Sequence, residues 1–200
     1  MRRLNRFVVE VDLRDGAGTA PSIVTASLPN PGKLGEVLIP GVLLGIVPGP
    51  DGGKHPWRVA MALMPGGPDP GQPVHLDTGK TNAVAARLLE QRLIPALANY
   101  VVDRREAPIP GTRSRVDFLV RSRSRTEVGP LRYLEVKSCT LFNGSIAMFP
   151  DAVTDRGRRH LSELAETAVG AVLMVVHTTA CDYFSPDFHT DPAFARTMWS

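Results

Sequence analysis

The residues best suited to chemistry lie in two short runs near the middle of the chain. Asp117 stands in the run 114–120, and Glu135 and Lys137 stand in the run 131–138. Apolar and polar residues alternate in both runs, which predicts β-strands with one face buried. Side chains two residues apart on a strand share a face, so Glu135 and Lys137 project together, about 6.6–6.8 Å apart along the backbone. If the two runs pair as a hairpin, Asp117 lies beside Glu135.

Two carboxylates and an ammonium group on rigid strands are suited to holding a divalent cation and activating water. Carboxylate oxygens are ligands that Mg²⁺ prefers, and a lysine can orient a water or stabilise developing negative charge. These residues are therefore candidates for a Mg²⁺ site, with Asp117 and Glu135 as ligands and Lys137 as the third catalytic residue, an arrangement that many metal-dependent nucleases use. The same three residues also fit a second interpretation, an exposed strand face with a cross-strand salt bridge.

The first part of the chain is predicted to be rich in β-strands. Short apolar runs alternate there with turn residues, which is typical of a small barrel or sandwich. A Pro/Gly tract at 65–73 is the natural boundary, so we predict an OB-like β-barrel domain over residues 1–73. The predicted strands are 5–13, 22–26, 42–47 and 57–63, with a turn at 15–18 between the first two.

From residue 74 the pattern changes to a mixture of helices and strands, which predicts an α/β domain with a mixed sheet over 74–200. A helix is expected over 81–97 with Thr81 or Asn82 as its N-cap, and a second helix is expected after Thr154 or Asp155. The second helix should bury Leu161, Leu164, Ala165 and Ala168. Strands are predicted at 101–102, 114–120, 131–138 and, buried on both faces, 171–177. Residues 184–186 are expected in a loop, and a last helix should open at Asp191 or Pro192.

The positive charge is concentrated around the predicted Asp117 strand. The chain carries a formal net charge of only +3, but residues 104–132 hold eight arginines against three acids. Arginine binds phosphate bidentately, so this stretch, with Arg115 in it, predicts a polyanionic partner such as DNA. For Arg121, Arg123 and Arg125 a solvated hairpin loop is an equal alternative.

Cysteine content and hydropathy indicate the compartment. Two cysteines without paired or metal-finger spacing argue against a disulfide scaffold and against zinc. The longest apolar run, at 168–176, is too short to cross a membrane. We expect a cytoplasmic protein with no membrane partner.

Three longer motifs resemble the sugar fermentation stimulation protein family. They are 114–119, 134–141 and 147–161, the last reading AMFPDAVTDRGRRHL, with weaker matches along most of the chain. The resemblance implies an N-terminal OB-like domain joined to a nuclease-like α/β domain of the PD-(D/E)xK type. It also implies DNA binding with a regulatory link to sugar metabolism.

Carried over by the resemblance, Asp117, Glu135 and Lys137 fall on the nuclease-like triad. Lys33, Arg156 and His160 fall in family motifs where they could contact a phosphate, as Arg115 could from its strand. Alternatives stay open: His160 as a packing residue, Arg156 paired with Glu163 or Asp151, and Asp151 as a helix cap.

Three positions depart from the family pattern. Pro31 and Lys33 replace a threonine and an arginine, and Pro31 removes a backbone donor from the loop. Arg87 stands where the family usually has an acid on the first helix, a position that often supplies a further metal ligand. An arginine there would oppose metal binding, and Glu90, one turn later, is the residue that could compensate.

The function predicted from these observations is a DNA-binding protein with a nuclease-like metal site and a regulatory role. The alternative is an active Mg²⁺-dependent endonuclease that cleaves DNA phosphodiesters. Sugar binding has little support, because aromatic residues make up only 6% of the chain and do not cluster.

Overall fold

The computed structural model describes residues 1–13, 22–64, 70–123 and 130–199. In chain order the strands are β1 (Arg2–Asn5), β2 (Val8–Leu13), β3 (Ser22–Ser27), β4 (Leu44–Pro48), β5 (Trp57–Leu63), β6 (Pro73–His75), β7 (Tyr100–Pro108), β8 (Arg115–Ser122), β9 (Leu131–Cys139), β10 (Leu141–Asn143), β11 (Ile146–Phe149), β12 (Gly170–Val176) and β13 (Tyr183–Pro186). The helices are α1 (Thr81–Glu90), α2 (Asp155–Ala165) and α3 (Pro192–Trp199).

The chain forms two units, each built from more than one stretch. The first unit comprises Met1–Gly79, Cys139–Ala152 and Val176–Ser185, and the second comprises Lys80–Ser138, Val153–Val175 and Pro186–Ser200. The linear boundary expected after residue 73 stays a prediction.

The first unit is built mainly on antiparallel strands, with one parallel pair between β3 and β5. Its larger sheet has the strand order β1-β2-β3-β5-β4, with β6 added beside β5, and a smaller sheet has the order β10-β11-β13. The predicted return of the chain from β2 to β3 is confirmed by continuous antiparallel pairing from Val8 with Ser27 to Leu13 with Ser22. The turn expected at 15–18 lies outside the described residues. Closure of the larger sheet into a barrel stays a prediction.

The second unit contains the predicted mixed sheet, with strand order β12-β9-β8-β7. β8 is antiparallel to both β7 and β9. The backbone N–H of Tyr133 donates to the carbonyl of Val169 near one end of β9, and the N–H of His177 donates to Cys139 at the other end. Residue numbers therefore rise together along β9 and β12, so these two strands are parallel.

Helices α1 and α2 pack against different side chains of the β12-β9-β8-β7 sheet. Ala85, Ala86 and Leu89 of α1 join a core cluster with Phe118 and Leu134. Leu164 of α2 belongs to another cluster, against which Leu119 and Tyr133 pack. Side chains alternate between the faces of a strand, so residues 117, 135 and 137 share the face of Leu119 and Tyr133, toward α2.

The start of α2 is capped as predicted. The hydroxyl of Thr154 accepts a hydrogen bond from the Gly157 N–H at 3.0 Å. The Thr154 N–H in turn donates to the Asp191 carboxylate at 2.9 Å, and Asp191 also caps α3 by accepting from Phe194 at 2.9 Å. These caps satisfy backbone donors that a helix leaves without internal partners.

Several expectations about individual elements were wrong. Helix α1 ends at Glu90 rather than near 97, because Arg92 adopts a positive φ of 60° and Pro95 follows. Residues 184–186 belong to strand β13 rather than to a loop, and residues 5–13 divide into β1 and β2. Strand β7 is much longer than the predicted 101–102.

The predicted burial was also wrong in places. Leu161 and Leu164 of α2 are buried, but Ala165 and Ala168 are exposed because the helix ends at Ala165. Every residue of β12 is only partly buried. No helix among the described residues is long and apolar enough to cross a membrane; the cytoplasmic location stays a prediction.

Candidate functional site

Adjacent strands bring the predicted triad together. The β8–β9 register pairs Phe118 with Leu134, and its next step places Asp117 opposite Glu135. The Val136 N–H donates to Asp117 Oδ2 at 2.7 Å, which ties the two strands together at this point. The hairpin predicted from the alternating pattern is therefore present, with Lys137 two residues beyond Glu135 on the same face.

The carboxylate of Asp117 is oriented by two donors. Its Oδ2 accepts from the Val136 N–H, and its Oδ1 accepts from Asn82 Nδ2 at 2.6 Å. A carboxylate oxygen has two lone pairs, so each oxygen keeps one for a further partner. Asp117 is therefore held in place and can still act as a ligand.

Glu135 is the most buried residue of the triad, with 6% of its surface exposed. Its Oε1 accepts from Lys137 Nζ at 2.5 Å and lies 3.1 Å from His160 Nδ1. Burial raises the pKa of the Glu135 carboxyl, while hydrogen bonding and charge from Lys137 act in the opposite direction. The interpretation as an exposed strand face with a cross-strand salt bridge is therefore wrong, because Glu135 is buried and its lysine partner lies on the same strand.

Six of the seven predicted site residues line one cavity of about 240 Å³ in the second unit. We call this cavity the carboxylate pocket. Its lining includes two residues from the start of α2, Thr154 and Gly157, and one further acid, Glu106 of β7. The predicted residues in its wall are Arg115, Asp117, Glu135, Lys137, Arg156 and His160.

A second, larger cavity of about 780 Å³ shares part of this wall, and we call it the arginine pocket. Glu106, Arg115, Arg156 and His160 line both cavities. The residues that belong to the arginine pocket alone are Arg113, Ser114, Arg159 and Glu163. The two pockets are therefore neighbouring parts of one cleft between the start of β8 and helix α2.

His160 and Arg156 project from α2 into this cleft. His160 is one helical turn before the buried Leu164, so the packing of Leu164 also directs His160 toward the sheet. Besides its contact with Glu135, His160 has a buried Nε2 that finds no partner in the described part of the chain, so packing alone does not satisfy this ring. Arg156 is exposed, and no ion pair joins it to Glu163 or Asp151 in the described structure.

Arg87 does not take the position expected of an acid on the first helix. Its side chain is 68% exposed and lies 3.8 Å from Glu90, and neither residue lines the cleft. The α1 residue that reaches the carboxylates is Asn82, through its hydrogen bond to Asp117. Because Arg87 does not line the cleft, its placement does not support the expectation that its charge opposes a cation at Asp117.

Asn82 and Glu106 are site residues that the sequence reasoning missed. Asn82 and Thr81 were the two candidates for the N-cap of α1, but both side chains contact residues of the sheet instead. Asn82 donates to Asp117, and the Thr81 hydroxyl lies 2.6 Å from that of Ser138. Glu106 belongs to a charged run in which apolar and polar residues do not alternate, so the pattern that predicts strands did not include it. The β7–β8 register places Glu106 at the step between Arg105 with Phe118 and Ala107 with Val116, level with Asp117.

Lys33 is the predicted site residue that does not join this cleft. It belongs to the first unit, where it lines a cavity of about 660 Å³ with Arg3 and Arg6. Its N–H donates to Asp151 Oδ2 at 3.0 Å, so Asp151 supports this loop and is not the cap of α2. A Cβ on Gly32 would lie 2.2 Å from the same oxygen, which explains the glycine beside Lys33.

The carboxylates on their own do not form a complete metal cage. In the part of the chain that the structure describes, no group of three or more His, Cys, Asp or Glu is placed to hold a metal ion. Mg²⁺ is commonly bound through one or two carboxylates, with waters and substrate phosphates as the other ligands. Asp117 and Glu135 match that smaller protein contribution.

These features define a two-unit protein in which a buried carboxylate–lysine cluster opens into an arginine-lined cleft. Residues 1–68 match the family model described as the SfsA N-terminal OB domain, and residues 79–200 match the model of the sugar fermentation stimulation protein RE domain. The chain therefore belongs to the sugar fermentation stimulation protein family, which confirms the resemblance found in the sequence.

Relatives with full-length similarity agree with this assignment. Sugar fermentation stimulation protein homologs from Shewanella loihica and Ruegeria pomeroyi are 33% and 35% identical. Each match covers 99% of this chain, and 81% and 83% of the respective relative. A solved structure, that of Pyrococcus furiosus SfsA in complex with Ca²⁺, is similar with a TM-score of 0.81 and 28% identity, covering 100% of this chain and 80% of that one.

Proposed function

We propose that this chain binds DNA and hydrolyses its phosphodiester bonds with the help of a divalent cation, Mg²⁺, at Asp117 and Glu135. The observation that carries the proposal is the convergence of these two carboxylates and Lys137 on one pocket, whose wall also contains Arg115, Arg156 and His160. Carboxylates are ligands for a hard cation, and arginines are partners for the phosphate that the cation would share.

The donor set is compatible with such a cation. Lys137 and His160 both contact Glu135 at Oε1, so Oε2 is the oxygen that this arrangement leaves for a cation. Asp117 keeps a lone pair on each oxygen, as its two hydrogen bonds require only one each. The Ca²⁺ complex of the Pyrococcus furiosus relative supports a divalent-cation site in this family. The cation would lower the pKa of a bound water and neutralise charge on the phosphate.

The other residues of the pocket would bind and stabilise the reacting phosphate. In hydrolysis a water oxygen attacks phosphorus, and a bridging oxygen leaves with a proton. The Lys137 ammonium, which donates to Glu135, would stabilise the negative charge that accumulates on the phosphate oxygens. Arg115 and Arg156 would orient the phosphate from opposite walls of the pocket.

The first unit would contribute to DNA binding independently of this chemistry. Lys33 lines its cavity together with Arg3 and Arg6, whose guanidinium groups donate to backbone carbonyls of the 31–33 loop. The result is a basic surface on a unit whose sequence matches an OB domain. OB folds commonly bind oligonucleotides, so we assign phosphate contacts to this surface.

A second candidate function is DNA binding without cleavage, in keeping with a regulatory role. It is favoured by the occupation of Glu135 Oε1 by both Lys137 and His160, which neutralises the carboxylate without a cation. In this case binding is sensitive to salt but independent of Mg²⁺.

Cleavage of DNA distinguishes the two candidates. Purified protein is incubated with single-stranded and duplex DNA in Mg²⁺ or in EDTA, beside Lys137→Ala and a matched control, Lys54→Ala, which removes an exposed lysine of the first unit. If the protein hydrolyses DNA, cleavage should require Mg²⁺. Lys137→Ala should then reduce the cleavage rate about 100-fold or more, and Lys54→Ala should leave it unchanged. Absence of cleavage with retained, salt-sensitive binding overturns hydrolysis and supports the second candidate.

A further inference from the structure

The arginine pocket carries more positive charge than the proposed chemistry requires. Its wall holds four arginines against two glutamates. Arg115 and Arg156 also line the carboxylate pocket, whereas Arg113 and Arg159 line the arginine pocket alone. Arg113 and Arg159 are exposed, and neither forms an ion pair with another described residue. Their guanidinium groups are thus available for an anion that the proposed reaction centre does not hold.

The lining of this pocket indicates how that anion would be recognised. The eight described residues that line it include no Phe, Tyr or Trp, so this part of the chain offers no aromatic platform for stacking a base. They also contain no Asn or Gln, the side chains that pair with adenine edges, so guanine, which arginine can pair with, is the base against which phosphate recognition has to be tested. Arginine forks match phosphate oxygens in a bidentate geometry, and Ser114 adds a hydroxyl to the same wall.

The arginine pocket is also placed to receive a neighbouring part of the same ligand. It shares Glu106, Arg115, Arg156 and His160 with the carboxylate pocket, so a chain that fills one pocket passes directly into the other. Among the described residues, the buried His160 Nε2 at this junction has no hydrogen-bond partner, and neither has Glu163 Oε2 in the wall of the arginine pocket. A ligand or an ordered water can complete the His160 nitrogen, whereas Glu163 Oε2 only accepts hydrogen bonds, so its partner would be an ordered water and not the phosphate.

We propose that the arginine pocket is a binding site for the nucleic-acid backbone next to the reacting phosphate, with Arg113 and Arg159 as its phosphate contacts. The site recognises phosphate and not base, so it serves every sequence alike. This inference rests on the proposed function, because the ligand is the same DNA strand. It adds two positioning residues and a backbone-only mode of recognition.

The test measures binding in EDTA, where the strand stays intact. Fluorescently labelled strands of (dT)₁₅, a 15-mer of alternating guanine and thymine and an abasic deoxyribose-phosphate chain of the same length are titrated with wild-type protein and with Arg113→Ala/Arg159→Ala. Loss of two phosphate contacts is expected to weaken binding about tenfold or more and to reduce the slope of log K against log [salt] by about 1.4. The loss should be the same for all three strands.

A matched control removes the same charge elsewhere on the second unit. Arg104 and Arg196 are exposed and do not line either pocket, so Arg104→Ala/Arg196→Ala should change affinity less than threefold. Equal losses in the two double variants would overturn the site, because only general charge would then matter. A loss confined to strands with bases would overturn backbone recognition. Wild-type protein that binds none of the strands would overturn the proposed function as well.

Discussion

Replacing Asn82 by aspartate is the substitution that best reports whether Asp117 belongs to a cation site. Asn82 Nδ2 donates to Asp117 Oδ1 at 2.6 Å, so Asn82→Asp places a second carboxylate against the first. In the absence of a cation the hydrogen bond becomes a repulsion between like charges. With a cation present the same change supplies an additional oxygen ligand. The sign of the effect should therefore depend on the cation.

The size of the destabilisation can be bounded from this geometry. Two unit charges about 4 Å apart repel by about 4 kcal/mol at an effective dielectric constant of about 20. Protonating one of the two carboxyls at pH 7 relieves the repulsion, and this costs about 4 kcal/mol for a group with an ordinary pKa of about 3.9. The new acid hydroxyl would then replace the lost amide donor. We expect the free energy of unfolding in EDTA to fall by about 2–4 kcal/mol.

The assay is denaturant unfolding followed by circular dichroism, with and without Mg²⁺ or Ca²⁺. Asn82→Asp should gain at least about 1.4 kcal/mol more from the cation than the wild type does, which corresponds to at least tenfold tighter binding. Ala83→Asp is the control, since residue 83 is exposed and places the same charge one position along α1. If Asn82→Asp is as stable as the wild type in EDTA, or gains no more from the cation, then residue 82 and Asp117 do not form part of a cation site.

The remaining predictions concern protonation and capping. Because burial raises the pKa of Glu135, cation affinity measured by calorimetry should rise about tenfold per pH unit below that pKa and level off above it; a Glu135→Gln variant with the same pH profile contradicts this assignment. Burial, followed by the charge of His75, lowers the pKa of His177 to about 4. His177 is therefore protonated at a lower pH in the folded first unit than in the unfolded chain. Stability should fall by about 3 kcal/mol as the pH drops from about 6.5 to about 4, and His177→Gln should remove this part of the acid sensitivity in a denaturant titration; an unchanged acid profile would refute the assignment. Thr154→Ala should lower the free energy of unfolding by about 1 kcal/mol, because the hydroxyl caps α2, whereas Thr154→Ser should retain most of it; equal stability of the two variants would rule out the cap.

The triad could be predicted from the sequence because its geometry is local. Alternation along 114–120 and 131–138 gives two half-buried strands, and a short hairpin then leaves few registers that bury Phe118 and Leu134. The cap of α2 was narrowed by the sequence to a few neighbouring residues, Thr154, Asp155 and Asp151, and the structure shows that Thr154 is the cap. In both cases a few neighbouring residues determine the result.

Asn82 and Glu106 could not be found in this way because their roles depend on contacts distant in sequence. Asn82 is 35 residues from Asp117, and a cap was the local use that its position favoured. Glu106 reaches the cleft from a strand whose charged sequence does not alternate, and its backbone takes a positive φ of 49° that no local pattern predicts. The error for Arg87 is of the opposite kind. The family pattern predicted a role for this residue at the metal site, but packing leaves its side chain exposed.

The most direct measurement is crystallographic, on this protein soaked with Mn²⁺ and recorded at a wavelength where manganese scatters anomalously. An anomalous peak is expected in the carboxylate pocket, about 2.0–2.2 Å from an oxygen of Asp117 and an oxygen of Glu135, and no peak is expected in Glu135→Gln. A fully soaked crystal with no peak between these two carboxylates, or with its strongest peak elsewhere, would contradict the proposed cation site.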